Sequence, residues 1–299
     1  MKKLLLLALM SFILGSYAEG KKVLYVTHEP GKYHKYTPQK KIFIDVAEKA
    51  GWDLTVSTGD HEPQIVALRD PKLTEGYDAI VYNFCFASSK DLQALSNVIA
   101  QTRKKGTPCM VVHCSMHSFW GTFKKGTPVG TKHGSKALAD PKVIAEWEKT
   151  NPGKDFPVWG DFTGVASTGH GPKSPIQIEK CCEHSATKSI PATGYTTAPV
   201  AELYNNFYVL DTVTPLLTGI QKQVDKKIAK KVKSGKELNA AEKQKLANPK
   251  KSSATVMWVV PQGKSKVLGL TLGHDEGEWN QPEFQSLLTD GVNFLLNGK

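Results

Sequence analysis

Histidines and other polar residues follow several short hydrophobic segments of the chain, at the points where predicted strands end. His113 closes the segment PCMVVH, and His274 follows the hydrophobic segment 267–272 within Gly-His-Asp-Glu. Imidazole nitrogens and carboxylate oxygens bind zinc and similar metals, and imidazole also acts as a general acid or base. If these strands share one sheet, their polar residues should meet at one edge. Residues in such positions are His28, Glu29, His34, Asn83, Cys85, His113, Cys114, His117, His274, Asp275 and Glu276.

The first half of the chain alternates strand patterns with amphipathic helix patterns. The strand patterns are mostly short continuous apolar runs, which are typical of parallel strands covered on both faces. The predicted strands are 23–27, 52–57, 78–84 and 108–113, and the predicted helices are 37–50 and 89–104, the second capped by Ser89. This order predicts an α/β fold with a doubly wound, mostly parallel sheet. In such sheets ligands bind beyond the carboxyl ends of the strands.

After His113 the pattern is less regular. Residues 120–160 are rich in glycine, proline, lysine and tryptophan, and we expect an ordered loop excursion there. Further strands are expected near 176–179, 207–211, 255–260 and 267–272, and a closing helix over 282–296. The length suits one domain over residues 21–299.

The amino terminus has the three parts of a secretory signal peptide. Two lysines precede an apolar run over residues 4–14, and residues 16–18, Ser-Tyr-Ala, form a small-x-small cleavage site. The apolar run is too short to span a bilayer as a mature helix, and no other long apolar run follows. We therefore predict a signal peptide over residues 1–18 and export to the periplasm or the extracellular space, without a membrane span.

The positive charge is concentrated in one segment. The formal net charge is +11, and residues 221–252 carry 11 lysines against 3 acidic residues. With the basic leader set aside, the rest of the chain is neutral, which argues against a nucleic-acid partner because such a partner needs a basic face. We interpret residues 221–252 as a lysine-rich insertion of one or two polar helices. Such runs are usually only solvated, and the alternative is a contact with an acidic partner, an anionic glycan or an envelope surface.

Seven short motifs, in order along nearly the whole mature chain, carry a family resemblance. They are Val26-Thr27 through Gly31-Lys32-Tyr33-His34, Tyr77-Asp78, Gly106 to His113, Gly160-Asp161-Phe162 with His170, His184, Glu202-Leu203-Tyr204, and Thr271 to Asp275. Together they make the sequence resemble the ThuA-like, or trehalose-utilisation, family. Ser185 and Ala201 stand where that family usually has proline and aspartate.

The resemblance implies a flavodoxin-like fold of three layers, like that of class I glutamine amidotransferases. It also implies a role in the utilisation of disaccharides or keto-sugars, with a small-molecule sugar as partner and no nucleotide cofactor. Among the matching residues, those suited to bind zinc or another divalent metal are His34, His113, His170 and Glu202. The expected catalytic residues are His113, His274, Glu202 and Tyr204, of which His274 and Tyr204 would act as acid, base or hydroxyl-binding groups.

Three alternatives remain open at this stage. The histidines could hydrogen-bond to sugar hydroxyls or to the backbone without a metal. An amidase-type hydrolase would use Cys114 as nucleophile with His274 and Glu276, although the usual Gly-x-Cys-x-Gly turn is absent. A non-catalytic carbohydrate-binding protein would stack sugars on its tryptophans, of which the relevant ones are Trp120, Trp147, Trp159 and Trp279. His184 could be structural, and we assign no site to His61, His117 or His133.

Overall fold

The computed structural model describes residues 20–87, 89–119, 139–167 and 169–298. Its centre is a nine-stranded sheet. The strands of this sheet are β1 Lys22–Thr27, β2 Asp53–Ser57, β3 Ala79–Asn83, β4 Cys109–Val112, β7 Ile176–Lys180, β8 Tyr195–Thr196, β11 Thr214–Gln223, β12 Lys250–Gln262 and β13 Ser265–Leu270. Their order across the sheet is β2-β1-β3-β4-β13-β12-β11-β7-β8. Four short strands lie outside it and form two small antiparallel pairs: β5 Val165–Ala166, β6 His170–Lys173, β9 Glu202–Tyr204 and β10 Tyr208–Val209.

The strands β2, β1, β3, β4 and β13 run parallel to one another. This half has the order and direction of a doubly wound sheet, so the predicted α/β class is confirmed. The other half, from β12 to β8, is antiparallel. The sheet is therefore mixed, with a parallel half that delivers the loops after β1, β3, β4 and β13 to one edge.

The helices connect and cover the strands. They are α1 Tyr36–Ala50, α2 His61–Ala67, α3 Leu92–Arg103, α4 Pro141–Thr150, α5 Trp159–Thr163, α6 Lys226–Lys233, α7 Ala240–Ala247, α8 Glu276–Trp279 and α9 Pro282–Asn297. Alternate residues of β1 enter two buried clusters. Val23 and Tyr25 pack with Phe43 of α1 and Leu287 of α9, and Leu24 packs with α3 in the second cluster. Both faces of the parallel half are therefore buried, as the continuous apolar strands predicted.

Several predicted elements differ from the structure. The cap of α3 is Asp91, whose carboxylate accepts from the Ala94 amide at 3.0 Å, and not Ser89. The segment predicted as a loop excursion contains α4 where it is described. The strand predicted over 207–211 is only β10, which pairs with β5 outside the main sheet.

The lysine-rich segment is a folded extension of a hairpin. Strands β11 and β12 pair along their length as far as Gln223 and Lys250. In the chain, α6 and α7 connect the end of β11 to the start of β12. Among the described residues, no helix is both long enough and apolar enough to cross a membrane.

Candidate metal centre

Four buried side chains that could donate to a metal ion meet beyond the carboxyl ends of the parallel strands. They are His34, His113, Glu202 and His274, and their donor atoms all lie within 4.8 Å of one another. The three histidines come from the loops after β1, β4 and β13, and the carboxylate comes from the first residue of β9. We call this group the His3Glu cluster. Three imidazoles and a carboxylate are a donor set that suits zinc and similar divalent metals.

Backbone carbonyls fix the orientation of two of these rings. The Nδ1–H of His113 donates to the Thr271 carbonyl at 2.7 Å, and the Nδ1–H of His34 donates to the His274 carbonyl at 3.0 Å. Because a carbonyl can only accept, each ring keeps its proton on Nδ1 and its lone pair on Nε2. The buried Nε2 of His113 has no hydrogen-bond partner among the described residues. Such an arrangement is common in metal sites, where the second ring nitrogen is held by a carbonyl or carboxylate.

Glu202 is the centre of charge in the cluster and is only 5% exposed. Its Oε1 lies 3.2 Å from His274 Nδ1, and its Oε2 lies 3.6 Å from His113 Nε2. Burial alone would raise the pKa of Glu202, but the contacts with His113 and His274 outweigh burial and hold that pKa well below its ordinary value. The carboxylate is therefore ionised at neutral pH, as a metal ligand must be.

His34 and His113 are neutral at the same pH. Burial lowers the pKa of His34 to about 3, with a further contribution from His113. Burial also lowers the pKa of His113, although its contacts with Glu202 act in the opposite direction. Neutral imidazole is the form that binds a metal, so these two rings can accept one without first losing protons.

His170 and Lys173, at the two ends of β6, lie at the open side of the His3Glu cluster. His170 Nε2 and Lys173 Nζ are 3.2 Å and 3.3 Å from the same oxygen, Oε1 of Glu202. Lys173 Nζ also lies 3.0 Å from Nε2 of His274. Their side chains are 35% and 50% exposed, against 6% for Glu202, so solvent and ligands reach the cluster from this side.

The backbone at His113 has a φ of 46°, in the left-handed region that few residues other than glycine adopt. Such a conformation costs on the order of 1–3 kcal/mol and is found most often at functional sites. His113 directly follows the fully buried strand β4, and its ring lies in the cluster.

Gly31 and Glu278 hold the loops that carry the cluster. A Cβ at Gly31 would lie 2.0 Å from the His34 carbonyl oxygen and 2.3 Å from the Tyr36 ring, so no other residue fits there. Glu278 is 1% exposed, and its Oε2 accepts from the His274 amide at 2.8 Å.

The structure brings three of the four predicted metal ligands into the cluster, namely His34, His113 and Glu202. His274 takes the fourth place. His170 stays at the rim, where its Nδ1–H donates to the Gly171 carbonyl at 2.7 Å. The metal-ligand set therefore remains a prediction, with His274 in place of His170.

Tyr204, predicted as a catalytic group, is 1% exposed, and its ring centroid lies 5.0 Å from that of His113. Burial raises the pKa of Tyr204 well above its ordinary value, so its hydroxyl stays protonated at neutral pH. The ring of His117 stacks on Tyr204 at 4.1 Å, and its Nε2 lies 3.0 Å from the Ser167 hydroxyl. The Tyr204 ring thus packs beside the cluster, between the rings of His113 and His117.

The amidase alternative is not supported by the surroundings of Cys114. A hydrogen bond with Cys85 and burial both raise the pKa of Cys114 well above its ordinary value. An activated cysteine nucleophile needs the opposite shift. Glu276, the proposed orienting carboxylate, is exposed, and the buried carboxylate of this loop is Glu278.

The described tryptophans of the carbohydrate-binding alternative are buried. Trp147, Trp159 and Trp279 are at most 4% exposed, and their indole N–H groups donate to backbone carbonyls. Trp159 and Trp279 pack in the core. Trp147 borders a surface pocket between α3 and α4, but its burial leaves little of the ring accessible for stacking. Trp120 and His133 lie outside the described residues.

Two further histidines lie apart from the cluster. The Nδ1 of His184 accepts from the Ala186 amide at 3.1 Å, and its ring packs on Phe294, which is a structural role. His61 contacts the Glu62 carboxylate at 3.0 Å.

Lys173, His117 and Glu278 are parts of the site that were not predicted from the sequence. Lys173 follows His170 by three residues, which places both at opposite ends of a short strand. Glu278 follows His274 by four residues, so a helical turn after the histidine could have indicated it. His117 follows a predicted strand, and this position was the signal that could have indicated it.

His28 should make the metal-free protein less stable in mild acid. It is fully buried, and its Nε2 accepts from the Cys85 amide at 3.2 Å, which requires the neutral ring. Burial lowers the pKa of His28 to about 4, with a smaller contribution from His61. The stability that depends on neutral His28 is therefore complete above pH 6.5 and is lost as the pH falls towards 4.

The free energy of unfolding in urea tests this expectation. Between pH 7 and pH 5 the wild type should lose roughly 2 kcal/mol more than His28→Gln, which keeps an acceptor and does not titrate. The same pH dependence in both proteins would contradict the assignment.

The sequence profile of the ThuA family, described as trehalose utilisation, matches residues 22–295. The match therefore covers more than half of the chain. A comparison with curated protein sequences finds no relative.

Two solved structures of ThuA-like proteins resemble the fold over nearly its whole length. A protein from Parabacteroides merdae aligns with a TM-score of 0.61 and 13% identity, over 94% of this chain and 91% of the other. A protein from Bacteroides uniformis aligns with a TM-score of 0.55 and 14% identity, over 94% of both chains. At such low identity these structures support the fold.

Proposed function

This chain belongs to the ThuA, or trehalose utilisation, family, and from that premise we propose that it is an enzyme that acts on a disaccharide or keto-sugar at the His3Glu cluster. The observation that carries the proposal is the convergence of four buried donor groups within 4.8 Å. Burying an ionised carboxylate among imidazole rings costs free energy. A protein that only binds sugar does not need such a group.

His34, His113, Glu202 and His274 are the residues that would hold a divalent metal. The unpartnered Nε2 of buried His113 supports the fit. When bound, such a metal polarises a carbonyl group or lowers the pKa of a water molecule.

The remaining side chains would orient the sugar and move protons. Lys173 Nζ can donate to a sugar oxygen at the open side of the cluster. His274 Nε2 lies 3.0 Å from Lys173 Nζ and can exchange a proton with this lysine. The Tyr204 hydroxyl would be a further donor, because its raised pKa keeps it protonated.

Turnover of a panel of disaccharides and keto-sugars by zinc-loaded protein tests the function. We expect product to form with wild type and with His61→Gln, a histidine outside the cluster, and the rate to fall at least about 100-fold for His274→Gln. A chelator should abolish the activity. Sugar binding without any turnover in the loaded protein would favour the non-catalytic binding alternative and contradict the proposal.

We also propose that the protein is exported, on the basis of the charged, apolar and small-residue segments at its amino terminus. Expressed in its native cells, the protein should be recovered from the periplasm or the medium with an intact mass that begins at Glu19. Recovery of the full-length chain from the cytoplasm would contradict export.

A further inference from the structure

A cavity of about 850 Å³ lies between β6 and the lysine-rich hairpin extension. Its lining comes from β6, from the ends of β11 and β12, and from α6 and α7 with the residues that flank them. We call it the lysine cavity, because lysine is the most frequent residue in its lining. The charged lining residues are Asp225, Lys227, Lys245 and Lys250, and His170 lies at the side nearest the His3Glu cluster.

The lysine cavity adjoins the candidate metal centre through His170. The ring of His170 lines the cavity, and its Nε2 lies 3.2 Å from Oε1 of Glu202. Lys173, at the other end of β6, contacts the same oxygen at 3.3 Å. A ligand that fills the cavity therefore extends to the open side of the cluster.

The lining carries an excess of positive charge that the described part of the chain does not neutralise. Within the described ranges, Lys227, Lys245 and Lys250 have no ion-pair partner. The acidic lining residue Asp225 caps α6, where it accepts from the Lys227 amide at 2.8 Å, and its carboxylate also attracts Lys227 and Lys245. One carboxylate against three lysines leaves the lining with a net positive charge. By contrast, Lys231 of the same helix is paired with Glu242 at 2.6 Å.

The lysines are held on a folded support. At the root of the extension Gln223 pairs with Lys250, and Gln221 pairs with Ser252. Ile228 of α6 is 3% exposed, and α7 begins with a capping box formed by Asn239 and Glu242. Three exposed lysines on regular elements thus line one cavity, which is more specific than a solvated lysine run.

We propose that the lysine cavity binds the anionic group of a sugar, so that the substrate class of this enzyme is an acidic or phosphorylated carbohydrate. This inference rests on the proposed function, since the sugar ring would lie at His170 and Lys173 with its reacting carbon facing the His3Glu cluster. The anionic group would lie among Lys227, Lys245 and Lys250.

Calorimetric binding of D-glucuronate, glucose 6-phosphate and glucose to the metal-free protein at low ionic strength tests the inference. We expect at least one anionic sugar to bind about tenfold more tightly than glucose, a difference of about 1.4 kcal/mol. The triple variant Lys227→Gln/Lys245→Gln/Lys250→Gln should lose this preference. The two anionic sugars distinguish a carboxylate site from a phosphate site.

The matched control is Lys233→Gln/Lys236→Gln/Lys243→Gln, which removes the same charge from exposed lysines of the same segment that do not line the cavity. It should keep the preference. Equal affinity for all three sugars, or equal losses in both triple variants, would overturn the inference. Zinc affinity, measured separately, should be unchanged in the cavity variant, so failure here is distinguishable from failure of the metal proposal.

Discussion

Glu202→Gln should lower the affinity of the protein for zinc by at least about 100-fold. Replacing a group that hydrogen-bonds to a metal ligand costs roughly 10–100-fold in affinity, so replacing a ligand should cost at least as much. Glu202 is the one carboxylate among the four donors. The amide keeps the size of the side chain but cannot supply a charged oxygen. It therefore removes the negative charge that Lys173 and His170 share as an ion-pair partner. Competition with a chromophoric chelator measures the affinity.

Two further variants make this result interpretable. Glu276→Gln removes an exposed carboxylate two residues after His274 and should bind zinc like the wild type. His113→Ala removes a different donor of the cluster and should lose zinc to a similar extent, with the fold intact by circular dichroism. Wild-type affinity in both Glu202→Gln and His113→Ala would show that the cluster is not the metal site.

Glu278→Ala should be among the most destabilising single changes near the site. The His274 amide that donates to Glu278 at 2.8 Å would lose its partner in a buried position, and a cavity would remain. Together these effects should lower the free energy of unfolding by about 3 kcal/mol or more. Because the loop that carries His274 loosens, zinc affinity should also fall about tenfold.

Glu278→Gln should be more stable than the wild type at alkaline pH, in contrast to Glu278→Ala. Burial raises the pKa of Glu278 to about 8 from an ordinary value of 4.5, so the wild type loses stability as the pH rises through this range. The amide does not ionise and keeps an acceptor for His274. The variant should therefore match the wild type near pH 4.5 and exceed its stability at pH 8 by on the order of 2–4 kcal/mol. Equal stability of the Ala and Gln variants at every pH would contradict this role.

The parallel half of the fold could be predicted because its strands are continuous apolar runs. Each run is buried on both faces, and the helices between the runs show the 3.6-residue period. In the antiparallel half, strands were predicted at 176–179 and 255–260, where β7 and β12 lie, but β11 was not predicted. The strand β11 reads TPLLTGIQKQ, in which polar residues interrupt the pattern, and it becomes a strand through its pairing with β7 and β12.

The histidines of the site could be located because the end of a strand fixes the position of the next residue. His113 and His274 follow β4 and β13, which pair directly in the sheet. Orientation could not be read from the sequence. The family motifs indicated His170 as a metal ligand and His274 as an acid, base or hydroxyl-binding group. Only the fold of β6 against β9 shows that His170 lies at the rim. The tryptophans gave a misleading signal for the same reason, because their burial depends on tertiary packing.

The metal content of purified, tag-free protein tests the central claim most directly. After zinc loading and extensive dialysis, elemental analysis should find about one equivalent of zinc per chain, and X-ray absorption should show nitrogen and oxygen ligands only. Glu202→Gln prepared in parallel should retain almost none. No retained metal in the wild type, or a zinc ion bound by sulfur, would contradict a metal centre built from His34, His113, Glu202 and His274.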